Sequence, residues 1–139
     1  MITVKSYNYR PQDAVNIRLQ VFCDEQGFKE ELDSIDNIAI HFLAFSDDTP
    51  IGTCRIFIDS QTKRWTLGRI AVTKEFRKQG IGSLLISAAE EKVKEEKGSS
   101  LWLHAQKRAI PFYEKCGYQT FGDFEPDEGY PHIWMHKEF

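Results

Sequence analysis

The sequence predicts an α+β domain built on one mixed, mostly antiparallel sheet flanked by helices. Short apolar runs with period-2 alternation recur along the chain, and apolar stripes recur at steps of three and four. One of those stripes stands between two strands. A strand, helix and strand in that order make a parallel pair, whereas the three strands between residues 41 and 72 are joined by turns short enough for hairpins. At 139 residues with 41% hydrophobic composition, residues 1–139 are expected to form one domain with an adequate core.

Each element has its own signal. Ile2, Val4 and Tyr7 mark a short first strand. Ala14, Ile17, Arg18, Val21 and Phe22 then recur at helical spacing, with Pro11 near the start and Gly27 as the end. Residues 24–36 carry six acids (Asp24, Glu25, Glu30, Glu31, Asp33, Asp36) and one base, Lys29, which reads as a loop or short helix with a strong negative field. His41 to Phe45, Ile51 to Ile58 and Trp65 to Val72 read as three strands of an antiparallel meander, since residues 47–50 and 59–64 have turn composition. Ile81, Leu84, Leu85, Ala88, Ala89 and Val93 stripe a long helix that Gly98 is placed to stop. Within it, Glu90 to Lys97 holds charges of alternating sign and reads as the wet face. Leu101 to Ala105 alternates as a strand parallel to Trp65–Val72. Ala109 to Lys115 fits a third helix ended by Gly117, and Tyr118 to Phe124 and His132 to His136 close the chain as strands.

The third meander strand slips phase. Trp65 and Leu67 share one face and Ile70 and Val72 the other, so a β-bulge is expected at Gly68-Arg69. A bulge leaves backbone groups unpaired and open to a ligand.

Composition excludes several classes. Eighteen basic against 21 acidic residues argue against a nucleic-acid binder held by bulk charge. The longest apolar run, Phe42 to Phe45, is far short of the ~20 residues of a membrane span. Cys23, Cys54 and Cys116 lie far apart without a CxxC pair, which fits a reducing cytoplasm and supplies no metal spacing.

The stretch from Arg69 to Leu85 carries the chemistry: strand, basic loop, Gly80 and Gly82, then the amphipathic helix. A helix N-terminus offers unsatisfied N–H groups and the positive end of the helix dipole, and Lys74, Arg77 and Lys78 add charge, which makes a pyrophosphate cradle. Ser83-Leu84 follow Gly82, so the lysine of a P-loop is absent, and Leu85 stands where a dinucleotide fingerprint needs its third glycine.

This stretch resembles the acetyl-CoA loop of the GNAT acetyltransferase superfamily, R/Q-x-x-G-x-G/A after a strand, with Arg77, Gly80 and Gly82 in place. Ala109-Ile110-Pro111-Phe112-Tyr113 to Gly117-Tyr118 is similar to that superfamily's A-x-x-F-Y-x-x-x-G-F/Y element. A finer resemblance, through Arg18 to Gln26 and Leu103-His104-Ala105-Gln106, is to the small bacterial YjcF/ElaA-like branch. The resemblance implies a cytoplasmic N-acetyltransferase, monomeric or homodimeric, that moves acetyl from acetyl-CoA, its cosubstrate, to a primary amine by direct attack. It implies that pantetheine pairs with the backbone of Ile70, Ala71 and Val72. The pyrophosphate then sits on Arg77, Lys78, Gln79, Gly80, Ile81 and Gly82. The N–H of Ile70 or Val72 polarises the thioester and Tyr113 is the general acid. Many GNAT members carry a glutamate at the start of the bulged strand, but Trp65-Thr66-Leu67-Gly68 has none. Glu25 is then the leading base, with His104, His132 or water as alternatives. The acidic segment suggests a cationic acceptor, small molecule or peptide, and Phe28, Tyr130 and Trp134 are candidates to line its pocket. The missing glutamate leaves a second class open, a non-catalytic acyl-CoA-binding sensor or interaction module.

Overall fold

In a computed structural model, residues 1–27, 33–127 and 129–139 are described. Seven strands form one sheet in the order β1-β2-β3-β4-β5-β7-β6. They are β1 Ile2–Tyr7, β2 Ile40–Ser46, β3 Thr49–Ile58, β4 Trp65–Val72, β5 Ser100–Gln106, β6 Gln119–Asp127 and β7 Tyr130–Glu138. Every neighbouring pair is antiparallel except β4–β5. That pair is joined through α2, Ile81–Glu95, as the crossover argument requires.

The period-2 alternation divides the sheet between two layers. Ile56, Leu67, Leu101, Leu103, Ile133 and Met135 point to one face, where they pack against Ile81, Leu85, Ile86, Ala89 and Val93 of α2 and Tyr113 of α3, Ile110–Lys115. Leu43 and Ala71 point to the other face, against Ala14 and Ile17 of α1, Gln12–Arg18, and Val21 of the π-helical turns Leu19–Glu25 that prolong it. The wider π turn lets the chain leave the helix axis beside β4, and such turns recur at functional sites.

Two expectations are corrected. Glu90 does not share the wet face of α2. It is buried, accepts hydrogen bonds from Tyr118 Oη at 2.8 Å and Lys137 Nζ at 3.2 Å, and so ties α2 to the end of the sheet. Nor do Asp33 and Asp36 belong to an open negative field, whereas Lys29, Glu30 and Glu31 of the acidic segment lie outside the described residues. Asp33 and Asp36, at the start of the 3-10 turn Ser34–Asn37, face inward onto arginines. Asp36 is 2% exposed and accepts from Arg18 Nη1 and Nη2 at 2.9 and 3.0 Å, from Arg55 Nη1 at 2.8 Å and from Arg10 Nη1 at 3.2 Å. Burial alone would raise its carboxyl, but the Arg18 and Arg55 hydrogen bonds outweigh that and hold it far below the usual carboxylate range. Buried charge is tolerable only when paired in this way.

The β-bulge lies where the phase slip located it. Thr53 is paired with Ala71 and Arg55 with Gly68, so Arg69 and Ile70 together stand opposite Cys54. The left-handed residue is Arg69, at φ 51°, rather than the neighbouring glycine. After the bulge the strands part. β4 and β5 pair only at Thr66–Trp102 and Leu67–Leu103, and everything C-terminal of Leu67 on β4 is split from β5.

Candidate active site

The split between β4 and β5 is the floor of a cleft of about 1090 Å³ that opens to both layers. Along the β4 edge it is lined by Ile70, Ala71 and Val72, and on the α2 side by Arg77, Lys78, Gly80, Ile81 and Gly82 and by Phe112 and Tyr113. On the α1 side it is lined by Asp33, Arg55, Phe57, Gly68, Arg69, His104, Asp127, His132 and Trp134. A smaller cavity of about 400 Å³, with Glu25, Ile70, Ala71, Val72 and Arg77 in its wall, adjoins the edge of β4.

The strand edge is polar where it faces the split. Thr73 N–H donates to Ile51 O at 2.9 Å, so residue 73 is turned toward β3. Backbone direction alternates along a strand, so Val72, and Ile70 two residues earlier, are turned away from β3 toward the split. Val72 O accepts from Arg77 Nε at 3.0 Å, in keeping with that direction.

The N-terminus of α2 has no side-chain cap. Among the described residues no acceptor takes its first N–H groups, and the residues that carry them line the cleft mouth. Gly80 sits at φ 80°, a conformation costly for any residue with a Cβ, and turns the basic loop onto the helix axis. Gly82 has a different cause: a Cβ there would stand 2.9 Å from Phe112 Cζ, so its smallness lets α3 approach α2. Arg77, Lys78, Gly80, Ile81 and Gly82 line the cleft together. The Gln79 side chain instead donates to Glu75 O at 3.3 Å, and only its backbone stays with the loop.

Tyr113 is 7% exposed and belongs to the same packed cluster as Cys54 and Cys116. Burial pushes its phenol well above the ordinary tyrosine range, so it stays protonated, and no described group hydrogen-bonds its hydroxyl. Glu25 is brought to the loop rather than to the acceptor side: its Oε1 accepts from Arg77 Nη2 at 2.7 Å. His104 stands on the opposite face, next to Gly68 across the split. Its ring stacks 5.1 Å from His132 and 4.8 Å from Trp134. Its Nε2 lies 3.0 Å from Glu125 Oε1 and its Nδ1 3.8 Å from Asp127 Oδ2. Burial, reinforced by His132, lowers its pKa below the usual 6.5 despite the two carboxylates, so at neutral pH the imidazole is a base. Trp134 lines the cleft and Tyr130 does not; Phe28 lies outside the described residues.

A family model described as the acetyltransferase (GNAT) family matches residues 10–118. The chain belongs to that family. The uncharacterised N-acetyltransferase YjcF of Bacillus subtilis (strain 168) is 33% identical over 130 residues, covering 91% of each chain. The crystal structure of Escherichia coli ElaA superposes with a TM-score of 0.88 at 23% identity, over 99% of this chain and 100% of that one. A Bacillus anthracis str. Ames protein described as a putative streptothricin acetyltransferase, crystallised in complex with acetyl coenzyme A, superposes with a TM-score of 0.64 at 26% identity, over 73% of this chain and 62% of that one.

Sequence reasoning passed over Arg55, which lines the cleft, and named Asp33, Arg69 and Ser83, which line it too, only as parts of the acidic segment, the bulge and the helix mouth. Arg55 did leave a signal: it is the one charge inside the otherwise apolar run Ile51 to Ile58, and a charge there must be paired or functional.

Proposed function

We propose that this GNAT member transfers the acetyl group of acetyl-CoA to a primary amine by direct attack. The observation that carries the reading is the split edge of β4, which turns the backbone of Ile70 and Val72 into a cleft whose mouth is the uncapped N-terminus of α2. An extended chain with amide groups can pair with that edge as a strand would, and a pyrophosphate finds N–H groups and the Arg77 and Lys78 charges at the mouth.

The chemistry divides between the two faces. The acceptor enters as an ammonium ion and loses one proton to His104 on the α1 side. The neutral amine attacks the thioester carbon, a C–N bond forms, and an N–H of the bulged strand stabilises the oxyanion. The C–S bond then breaks and the thiolate takes its proton from Tyr113 on the α2 side. The amine's second proton passes to the tyrosinate, which restores the phenol, and His104 returns the first to solvent. The products are an acetamide, free CoA thiol and one proton. Glu25 serves as partner and competitor for Arg77 on this reading, and the base is drawn from the histidines named above.

Thermal unfolding and thiol release together test the proposal. Acetyl-CoA at ~100 times its dissociation constant should add about 2.7 kcal/mol, a melting shift of roughly 10 °C, with ATP and NADH far behind. Thiol release on adding an amine panel should follow. Equal shifts from all three nucleotides, or no thiol release with any amine, would sink the reading.

A further inference from the structure

Two carboxylates on the acceptor side of the cleft, Glu125 and Asp127, have no task in the transfer as described. Strand pairing puts them there. Side chains of residues paired across a sheet share a face, and so do residues two apart on one strand. His104 of β5 is paired with Trp134 of β7, and His132 and Tyr130 of β7 with Glu125 and Asp127 of β6. His104, His132, Glu125 and Asp127 therefore stand on the α1 face together. The register of β6 shifts between Phe121 and Glu125, where Gly122 turns left-handed at φ 77°. Such an irregularity re-aims the strand that follows it. From there both carboxylates reach across β7 to the His104 ring.

The two ring nitrogens of His104 are not equivalent. Nε2 faces Glu125 Oε1 at 3.0 Å and is sealed from solvent, out of line for a full hydrogen bond. A carboxylate only accepts, so the hydrogen belongs on Nε2 and the lone pair on Nδ1. Nδ1 has no hydrogen-bond partner among the described residues and is not sealed. Asp127 Oδ2 stands 3.8 Å from it, too far for a hydrogen bond. A gap of that width suits a third atom. A nitrogen about 2.8 Å from each can donate one hydrogen to the carboxylate and one to the imidazole. His132 is anchored differently: its Nδ1 donates to Tyr130 O at 2.9 Å, and among the described residues no carboxylate pairs with its ring. His104 also follows Leu103, the last residue of β5 paired with β4, so its ring stands where the split opens beside the bulged strand.

We infer that Glu125 is a positioning residue, holding His104 in its Nε2–H form, and that Asp127 holds the acceptor's ammonium group against the open Nδ1. The inference rests on the acetyltransferase reading and names its acceptor class, an alkyl amine that arrives protonated. One proton passes from the ammonium nitrogen to Nδ1, and the freed lone pair attacks the thioester carbon. The imidazolium so formed keeps Glu125 on one side and Asp127 on the other, and both favour the charged ring against the burial that opposes it. Asp33, Arg55, Arg69 and Arg108 line the same side of the cleft, but Asp33 is tied to Arg55 and Arg69.

Two probes of equal length test the assignment. Phenethylamine is an ammonium ion at neutral pH. O-benzylhydroxylamine, with oxygen in place of one methylene, is uncharged there and needs no first deprotonation. Asp127→Asn should lower kcat/KM for phenethylamine on the order of 10–100-fold, the worth of a charge-assisted hydrogen bond, and cost O-benzylhydroxylamine far less. Glu125→Gln removes a negative charge beside the imidazolium, so the acid limb of the phenethylamine rate profile should move to lower pH and its plateau should fall. Nitrogen NMR of the histidine rings, with His104→Gln assigning the signal, reads the tautomer without any acceptor. The parent should show His104 as Nε2–H and Glu125→Gln a mixture with Nδ1–H. Both carboxylates are more than half exposed, so the variants should keep the parent's melting temperature and acetyl-CoA affinity. His104 found as Nδ1–H in the parent, an acid limb unmoved by Glu125→Gln, or equal losses for the two probes in Asp127→Asn would each overturn the inference. Acetyl-CoA stabilisation with thiol release from either probe would leave the acetyltransferase reading standing in those cases. Absence of both would remove that reading and this inference with it.

Discussion

Tyr113→Phe separates packing from chemistry more cleanly than any other change in the cleft. The substitution removes one hydroxyl and keeps the ring, which packs edge-on to Phe112 at 5.1 Å and Tyr118 at 6.3 Å between centroids. No described group hydrogen-bonds that hydroxyl, so the fold loses no bond. The hydroxyl is not sealed in the interior, so its removal relieves no buried unpaired donor, and phenylalanine should leave the melting temperature about unchanged. The chemical step is different. Charge reaches the sulfur only as the C–S bond breaks, so a proton donor at Tyr113 acts on the transition state and not on bound acetyl-CoA. General acid catalysis is worth ~10²–10⁴-fold. A thiolate is already a good leaving group, which puts the expected loss near ~10²-fold in kcat, about 2.7 kcal/mol of barrier. Thiol release at saturating amine and acetyl-CoA, with acetyl-CoA affinity measured separately by calorimetry, reads the two effects apart. Lower turnover with unchanged affinity and an intact fold supports the acid role. Lost affinity at unchanged turnover would make the hydroxyl a positioning group, and no change in either would make Tyr113 a packing residue and refute the argument.

Other perturbations probe the remaining parts. Asp36→Ala leaves Arg18 and Arg55 buried without their shared carboxylate and should cost about 3–5 kcal/mol in urea unfolding. Gly82→Val should weaken acetyl-CoA binding but also push against Phe112. Adding Phe112→Ala should restore the melting temperature without restoring affinity, and recovery of both would reduce Gly82 to a helix-packing glycine. Glu25→Gln releases Arg77 from a 2.7 Å ion pair, so acetyl-CoA affinity should rise several-fold, whereas a collapse in turnover would return Glu25 to the role of base. His104 and buried His41 have folded pKa values below 6.5, each lowered first by burial. A depressed imidazole contributes stability that is present above its unfolded pKa and lost as pH falls through the folded one. Both stability and kcat/KM should therefore decline as pH drops below 6.5, and His104→Gln should remove that limb from the rate profile while His41 keeps it in the stability profile.

The architecture was legible because it rests on local patterns. Period-2 alternation located all seven strands to within a few residues, and even the bulge showed as a phase slip between Leu67 and Ile70. What local pattern does not carry is pairing between distant residues. The acids at 33 and 36 looked like a solvated field because nothing near them in sequence announces Arg18 and Arg55 as partners. Glu90 looked wet for the same reason, its partners being Tyr118 and Lys137. Gly98 was read as a helix stop, but Lys97 makes the left-handed turn at φ 67°, and Gly98 is small because a Cβ would run into Val93 and Trp65. Glu25 and Arg77 were each singled out as functional, and their contact across 52 residues was invisible until the fold joined them.

That the proposed acid and base lie on opposite faces of the sheet has a consequence for the order of events. Tyr113 belongs to the cluster packed under α2, and His104 to the ring-lined face beyond β5. The split between β4 and β5 is the passage joining them, so the CoA thiol and the amine approach from different sides and meet at the bulge. A covalent acetyl-enzyme would need a nucleophile at that meeting point. Cys54, the cysteine facing the bulge, is 1% exposed, and burial pushes its thiol far above the range in which a thiolate forms. Two substrates held on opposite faces, with no activated nucleophile between them at Cys54, favour transfer within one ternary complex. Initial rates at several fixed amine concentrations should then give intersecting double-reciprocal lines. Parallel lines, the mark of an acetyl-enzyme, would mean that another group carries the acetyl and that the two-face division of labour is wrong.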